Sequence, residues 1–260
     1  MEFLVSLFQE IDLYFLIWAR ITGFMLTAIP FNSRNIPGQV RVWLAALITF
    51  LIFTIHSREN FQISQTPGGY LLQFLGEALI GAILGFLTQL TFSALQLAGQ
   101  MIDMQMGFGI VNVIDPQYGI QIPVLGNFKY ILAVLFFLTI NGHHMLLAAL
   151  ARSYRFLPLG NLHFSGAFYS FIFTLAGEMF LTAFKISLPV LGALFITDLA
   201  LGIIARTVPQ MNVFIVGLPL KIGVGLGLLM LILPLFLWIF SSIFTGLFED
   251  LNKLLVILGR

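Results

Sequence analysis

QMIDMQMGFGIVNVIDPQYGIQIP, residues 100–123, lies between two long apolar runs, 71–97 before it and one that opens at Tyr130 after it. Its place in the chain makes it a connector. Its composition is wrong for an ordinary wet loop, because 24 residues carry only two charges, Asp103 and Asp115, beside Met101, Met104, Met106, Phe108, Ile110, Val111, Val113 and Ile114. Something apolar must cover it. Gly107, Gly109 and Gly119 free the backbone, Pro116 and Pro123 forbid an uninterrupted helix, and thioethers conform to irregular surfaces. A long connector in a membrane protein is tolerated where protein buries it or a watery cavity faces it. The expectation is a deformable plug lying across a pore.

With 59% hydrophobic residues, 9% charged residues and a mean hydropathy of +1.02 over 260 residues, the chain has more apolar surface than a soluble core of its own could hide. It reads as a membrane protein. A formal net charge of +1 without clustered Lys and Arg argues against a nucleic-acid partner. The absence of cysteine removes disulfides, thiolate metal sites and Cys nucleophiles. The first residues, MEFLVSLFQEIDLYF, carry Glu2, Glu10 and Asp12 where a secretory signal would be positive, and no small-residue cleavage site follows. This stretch is expected to be retained.

Outward from the connector, 13–29 is apolar except for Arg20 and ends at Pro30, and a polar turn with Arg34 and Arg41 leads into a second apolar segment, 40–55. That segment is short for an upright span of about 20 residues. Residues 56–69 form the most loop-like tract. The run 71–97 carries Glu77, Gln89 and Gln96, and its Gly81 and Gly85 make a small-xxx-small pair for close helix contact. Around Asn141-Gly142-His143-His144 the run 130–150 should kink or fold into a hairpin. Residues 152–165 are polar and turn-rich. In the second half the charges recur inside apolar runs. Residues 167–188 hold Glu178 and Lys185, seven apart and on one helical face; Pro189 is expected to interrupt; 190–205 holds Asp198, with Arg206 eight residues along the same face. Pro209 is a second expected break. After Pro219 and Lys221 comes the long charge-free run 222–248, the most conventional transmembrane candidate, and then an amphipathic tail.

A positive-inside count does not settle orientation, since Arg34 with Arg41, Arg152 with Arg155, and Arg206 with Lys221 do not fall in alternate loops. Short apolar segments separated by prolines suit paired helices inside an assembly better than a row of lipid-facing spans. Glu178 with Lys185, and Asp198 with Arg206, cost a few kcal/mol each in lipid, roughly 2.5–3.5 on insertion scales, so they should face protein or water. Two readings stand: a proton or ion pathway, and structural pairing between neighbouring helices or subunits, the commoner role of such pairs. Glu77 and Asp103 are read the same way. His143 and His144 would point about 100° apart on a helix, so polar capping at Asn141-Gly142 is a better reading than a metal site. Gly107-Phe108-Gly109 and Gly223-Val224-Gly225-Leu226-Gly227 echo part of a dinucleotide fingerprint without a preceding strand, and no G-x-S-x-G, P-loop or H-E-x-x-H is present. No catalytic residue, cofactor or metal is expected.

Five blocks together resemble the FliR family, the R subunits of the type III secretion export gate. They are ARITGFMLTAIPFNSRNIPGQVR (19–41), GEALIGAILGF (76–86), FSALQLAGQMIDMQMGFGIVNVIDPQ (92–117), NGHHMLLAAL (141–150) and LPVLGALFITDLALGIIARTVPQMNVFIVGLPLKIGVGL (188–226). The resemblance implies an all-α, integral membrane export-gate subunit of paired helical hairpins and interrupted helices, in one structural unit. Residues 1–185 would be similar to the P subunit and 186–260 to the Q subunit. It implies P and Q subunits as neighbours in a helical shell, contacts with the B and A membrane subunits and the flagellar rod, and membrane lipid around them. Unfolded flagellar polypeptides would pass through, in the bacterial inner membrane at the flagellar basal body. The family's plug corresponds to about 106–122, so the candidate closure residues are Met104, Met106, Gly107, Phe108, Gly109, Ile110, Val111, Asn112, Val113, Ile114, Asp115 and Pro116. Glu77, Asp103, Glu178, Lys185, Asp198, Arg206 and Lys221 are the candidate buried charges or assembly contacts. Injectisome homologues share this architecture; the plug wording and RTVPQMNVF (206–214) favour the flagellar branch. A rival from another class is a self-sufficient small-molecule or ion transporter, which would carry internal repeats, and none is visible.

Overall fold

The structure, a computed structural model, describes residues 2–33, 36–55, 64, 66–110, 123–160 and 165–259. Among these residues it contains seven α-helices and no strand: α1 (Glu2–Thr27), α2 (Gly38–Ile55), α3 (Pro67–Met106), α4 (Val124–Thr139), α5 (Gly142–Phe156), α6 (Gly166–Thr207) and α7 (Val213–Leu258). A short 3-10 turn, Phe108–Ile110, follows α3. The all-α expectation holds. Three helices, α3, α6 and α7, are long and apolar enough to cross a membrane, or four if the bent pair α4 and α5 counts as one span.

Local chemistry sets the ends. Thr66 Oγ1 accepts the Gly69 N–H and Pro67 stands at the first helical position, where its missing donor is harmless, so α3 begins there. Gly107, at φ 90°, lets the chain leave α3 in a conformation that a side chain would resist. Between α4 and α5 the chain bends by 70°, as the Asn141-Gly142 pair led one to expect. The capping expectation there is corrected: Asn141 sits in the left-handed region at φ 58° and makes no side-chain cap. Its carbonyl instead accepts the His144 and Met145 N–H groups. The expected break at Pro189 is also corrected, because α6 runs through it, as α7 runs through Pro219 and Pro234. Pro209 does lie at a real break. There α7 restarts with Asn212 Oδ1 accepting the Phe214 and Ile215 N–H groups.

By packing, the chain forms two compact units whose limits do not follow the expected 185/186 division, which concerns likeness to two subunits. One comprises Met1–Thr91, Phe137–Leu175 and Phe244–Arg260; the other Phe92–Phe136 and Ala176–Ile243. In the first, α1 packs on α3 at glycines. A Cβ at Gly81 would overlap the Arg20 carbonyl, one at Gly85 would strike Thr27 and the Ala28 backbone, and one at Gly23 the Ala78 carbonyl. The small-xxx-small reading of Gly81 and Gly85 is thus realised inside the chain. Thr27 Oγ1 donates to the Ala82 carbonyl across this contact, and Phe137 stacks on Phe248 and meets Phe244 at a tilt. At the centre lies Arg20, fully buried, with Nε 2.6 Å from Glu77 Oε2. Arg20 also donates to Ser153 Oγ and the Leu157 carbonyl and lies over the Tyr154 ring, while Glu77 Oε1 accepts the Gly160 N–H. Each charge is paired and further hydrogen-bonded, the condition under which a buried ion pair is tolerated. The second unit has a core of Ile102, Met106, Leu125, Val190 and Leu194, with Phe108, Ile222, Val224, Leu229 and Ile232 packed on it.

Candidate functional site

The site is the root of the connector, where α3 ends and α4 begins. Asp103, one turn before the end of α3 and 5% exposed, turns its carboxylate onto the first turn of α4. The Leu125 N–H donates to both oxygens at 3.1 and 3.0 Å, and the Gly126 N–H to Oδ2 at 3.1 Å. A helix start has unpaired donors and a partial positive charge, so a carboxylate placed there satisfies both at once. Close approach is possible because Gly99 and Gly126 face each other: a Cβ on Gly99 would overlap the Gly126 Cα. The two ends of the connector are therefore held together, whatever path the segment between them takes.

Two further contacts fix the departing end. Met106 is fully buried, and its thioether lies against the α7 backbone at Gly225, where a Cβ would come within 2.7 Å of Sδ. Gln105 Nε2 donates to Asp198 Oδ2 at 3.0 Å, and Asp198 in turn pairs with Lys221 of α7. This chain of contacts ties α3, α6 and α7 beside a 650 Å³ cavity lined by Met104, Gln105, Gly107, Asp198, Phe214 and Lys221 among others. Its polar lining comes from Gln105, Asp198 and Lys221. Among the described residues none of its lining side chains is arranged as a nucleophile and base, and no cluster of His, Asp or Glu could hold a metal ion.

The candidate residues divide as follows. Met104 is exposed at 77%, Met106 is buried, Gly107 makes the turn, and Phe108, Gly109 and Ile110 belong to the 3-10 turn. Val111, Asn112, Val113, Ile114, Asp115 and Pro116 lie outside the described residues. Glu77 and Asp103 are buried; Asp198 and Lys221 are half-buried. Asp198 is paired with Lys221 of the next helix, while Arg206, on the same face of α6, is exposed. Glu178 and Lys185 are exposed too, and no ion pair among the described residues joins them. Two residues escaped the sequence reading, Gln105 and the buried Lys129, and Arg20 was noted only as an exception in its run. For Arg20 and Lys129 the signal was present, an isolated cation within an apolar run.

Residues 11–247 match the family described as Bacterial export proteins, family 1. The chain is 38% identical to the flagellar biosynthetic protein FliR of Bacillus subtilis (strain 168), over 100% of this chain and 99% of that one. It is 33% identical to FliR of Escherichia coli (strain K12), over 94% of each chain. It is 32% identical to FliR of Aquifex aeolicus (strain VF5), over 95% of this chain and 93% of the other.

Proposed function

This chain belongs to the bacterial export proteins, family 1, and on that premise we propose that it is a non-enzymatic component of a flagellar type III protein export gate. Its connector, 107–122, closes the protein-conducting path at rest and yields to an unfolded polypeptide in transit. The observation that carries this reading is the clamp at the connector's root. Asp103 ties the end of α3 to the start of α4, so the segment between them can be displaced while both helices stay in place. Gly107 at the exit supplies the backbone freedom, and the apolar side chains beyond it supply the seal. Closure must be bistable by only a few kcal/mol, since a stronger one would resist the substrate.

In this reading the chain works with the P and Q subunits, the B and A membrane subunits and the rod, in the inner membrane at the basal body. Energy for transport comes from other subunits. Replacing 107–122 by a short Gly-Ser bridge leaves the Asp103 clamp intact and should raise the ion conductance of membranes carrying the whole gate. Co-purification of the gate subunits controls for assembly. An assembled gate of unchanged conductance would overturn the sealing role. A self-sufficient transporter would instead be stable alone or as a symmetric oligomer after purification in mild detergent.

A further inference from the structure

The two ends of the connector are anchored unequally. The Asp103 clamp is buried and engages backbone donors of α4. Two residues further along, Gln105 Nε2 donates to Asp198 Oδ2, and Asp198 pairs with Lys221. This second tie joins side chains only, with Lys221 and Asp198 23% and 35% exposed beside the 650 Å³ cavity. That cavity is large and polar enough to admit water, which can replace any partner the tie loses, so opening it costs far less than opening the buried clamp. Small residues flank the tie. A Cβ on Gly202, one turn beyond Asp198 on α6, would meet nothing within 4 Å, and one on Gly217, one turn before Lys221 on α7, would meet only Leu201. The Met106 contact at Gly225 lies one turn beyond Lys221 on the same helix. A shift of α7 against α3 therefore breaks both exit contacts together, while the Asp103 clamp, whose partners are on α4, stays closed.

We propose that Gln105, Asp198 and Lys221 form a releasable latch, through which α6 and α7 hold the connector's departing end and let it go while its returning end stays fixed to α4. The proposal rests on the sealing role given to the connector above and adds what controls it. Asp198 and Lys221 already neutralise each other, and the uncharged Gln105 amide adds nothing to that balance. What it adds is a link from the charge pair to α3, placed beyond the clamp and before the Gly107 turn. Movement of α7 against α3 is the input, and freedom of residues 104–107 is the output. These three side chains act on the connector by positioning its root, so their loss changes how firmly the exit is seated and leaves the α4 side as it was.

The test uses the whole gate, purified with its partner subunits, carrying Gln105→Met. This substitution deletes the amide and keeps the Asp198–Lys221 pair, the side-chain length and the helix propensity. Hydrogen exchange read by mass spectrometry should run at least fivefold faster over peptides covering 104–109 than in the unsubstituted gate, and should be unchanged over 124–130. Ion conductance of membranes carrying the same gate should rise at least twofold, a change that a merely structural tie would not produce. Gln105→Glu sets a carboxylate against Asp198 and should raise both readings further. Unchanged exchange over 104–109 overturns the latch. Faster exchange with unchanged conductance also overturns it, provided that the Gly-Ser bridge in place of 107–122 does raise conductance. If that bridge leaves conductance unchanged, the sealing role is what has failed, and the exchange over 104–109 alone decides the latch. Should Gln105→Met not assemble, Gln105→Glu is judged by the same two readings.

Discussion

Asp103 joins two helices through a single carboxylate, and removing it leaves the Leu125 and Gly126 donors buried without an acceptor. Loss of a buried, charge-assisted cap costs about 1–3 kcal/mol. Asp103→Ala should therefore lower the melting temperature of the full-length chain, and Asp103→Asn, which keeps one acceptor oxygen, should lower it less. Equal melting of all three would mean the cap contributes nothing to the fold. The sequence marked Asp103 as a charge in need of company. It did not reveal what kind, because a backbone N–H has no signature in the one-letter code. Asp198 shows the same limit, a charge in need of a partner on another helix without the sequence saying which. Helical periodicity put Arg206 on its face, but eight residues rise about 12 Å along a helix, too far for a direct pair. Lys221, on the next helix, is close only once the chain has turned back at Pro209. Arg20 and Glu77 were legible as isolated charges in apolar runs, while their meeting depends on α1 lying against α3.

At the scale of the helix, proline misled where glycine informed. Pro189 costs α6 one backbone hydrogen bond and crowds the preceding turn, yet a helix flanked by long apolar runs continues through it. What ends α6 is the Val208-Pro209 corner, followed by the Asn212 cap that starts α7 afresh. Glycine spacing was the better guide, since Gly81 and Gly85 predicted close contact and the α1 backbone lies there. A side chain at Gly81 would meet the Arg20 carbonyl and not a yielding side-chain tip, so the helices must separate. Gly81→Ala should destabilise the chain by about 1–3 kcal/mol. Gly192→Ala, where an added Cβ meets nothing within 4 Å, should leave stability unchanged or slightly higher. Comparable melting of the two variants would show that the α1–α3 contact is looser than described.

At the scale of the molecule, the three long helices differ in how much of themselves they hide. The most apolar window of α3 is 50% buried within the chain, whereas those of α6 and α7 are 17% and 11% buried. Each has about twice the ~20 residues that one bilayer crossing needs, so lipid alone is an incomplete account of what covers them. Glu178 and Lys185 sharpen the point, because both are exposed on α6 and each would cost roughly 2.5–3.5 kcal/mol if hydrocarbon faced it. In the proposed assembly, other chains or water lie there. The absence of cysteine from the sequence makes the question easy to ask, since single-cysteine variants need no background removal. Glu178→Cys and Lys185→Cys should react readily with a water-soluble maleimide when the chain is expressed alone, and at least fivefold more slowly in the assembled export apparatus. Equal reaction in both settings would place this face of α6 in water, and no reaction in either would place it in lipid; both outcomes would remove α6 from the list of assembly contacts.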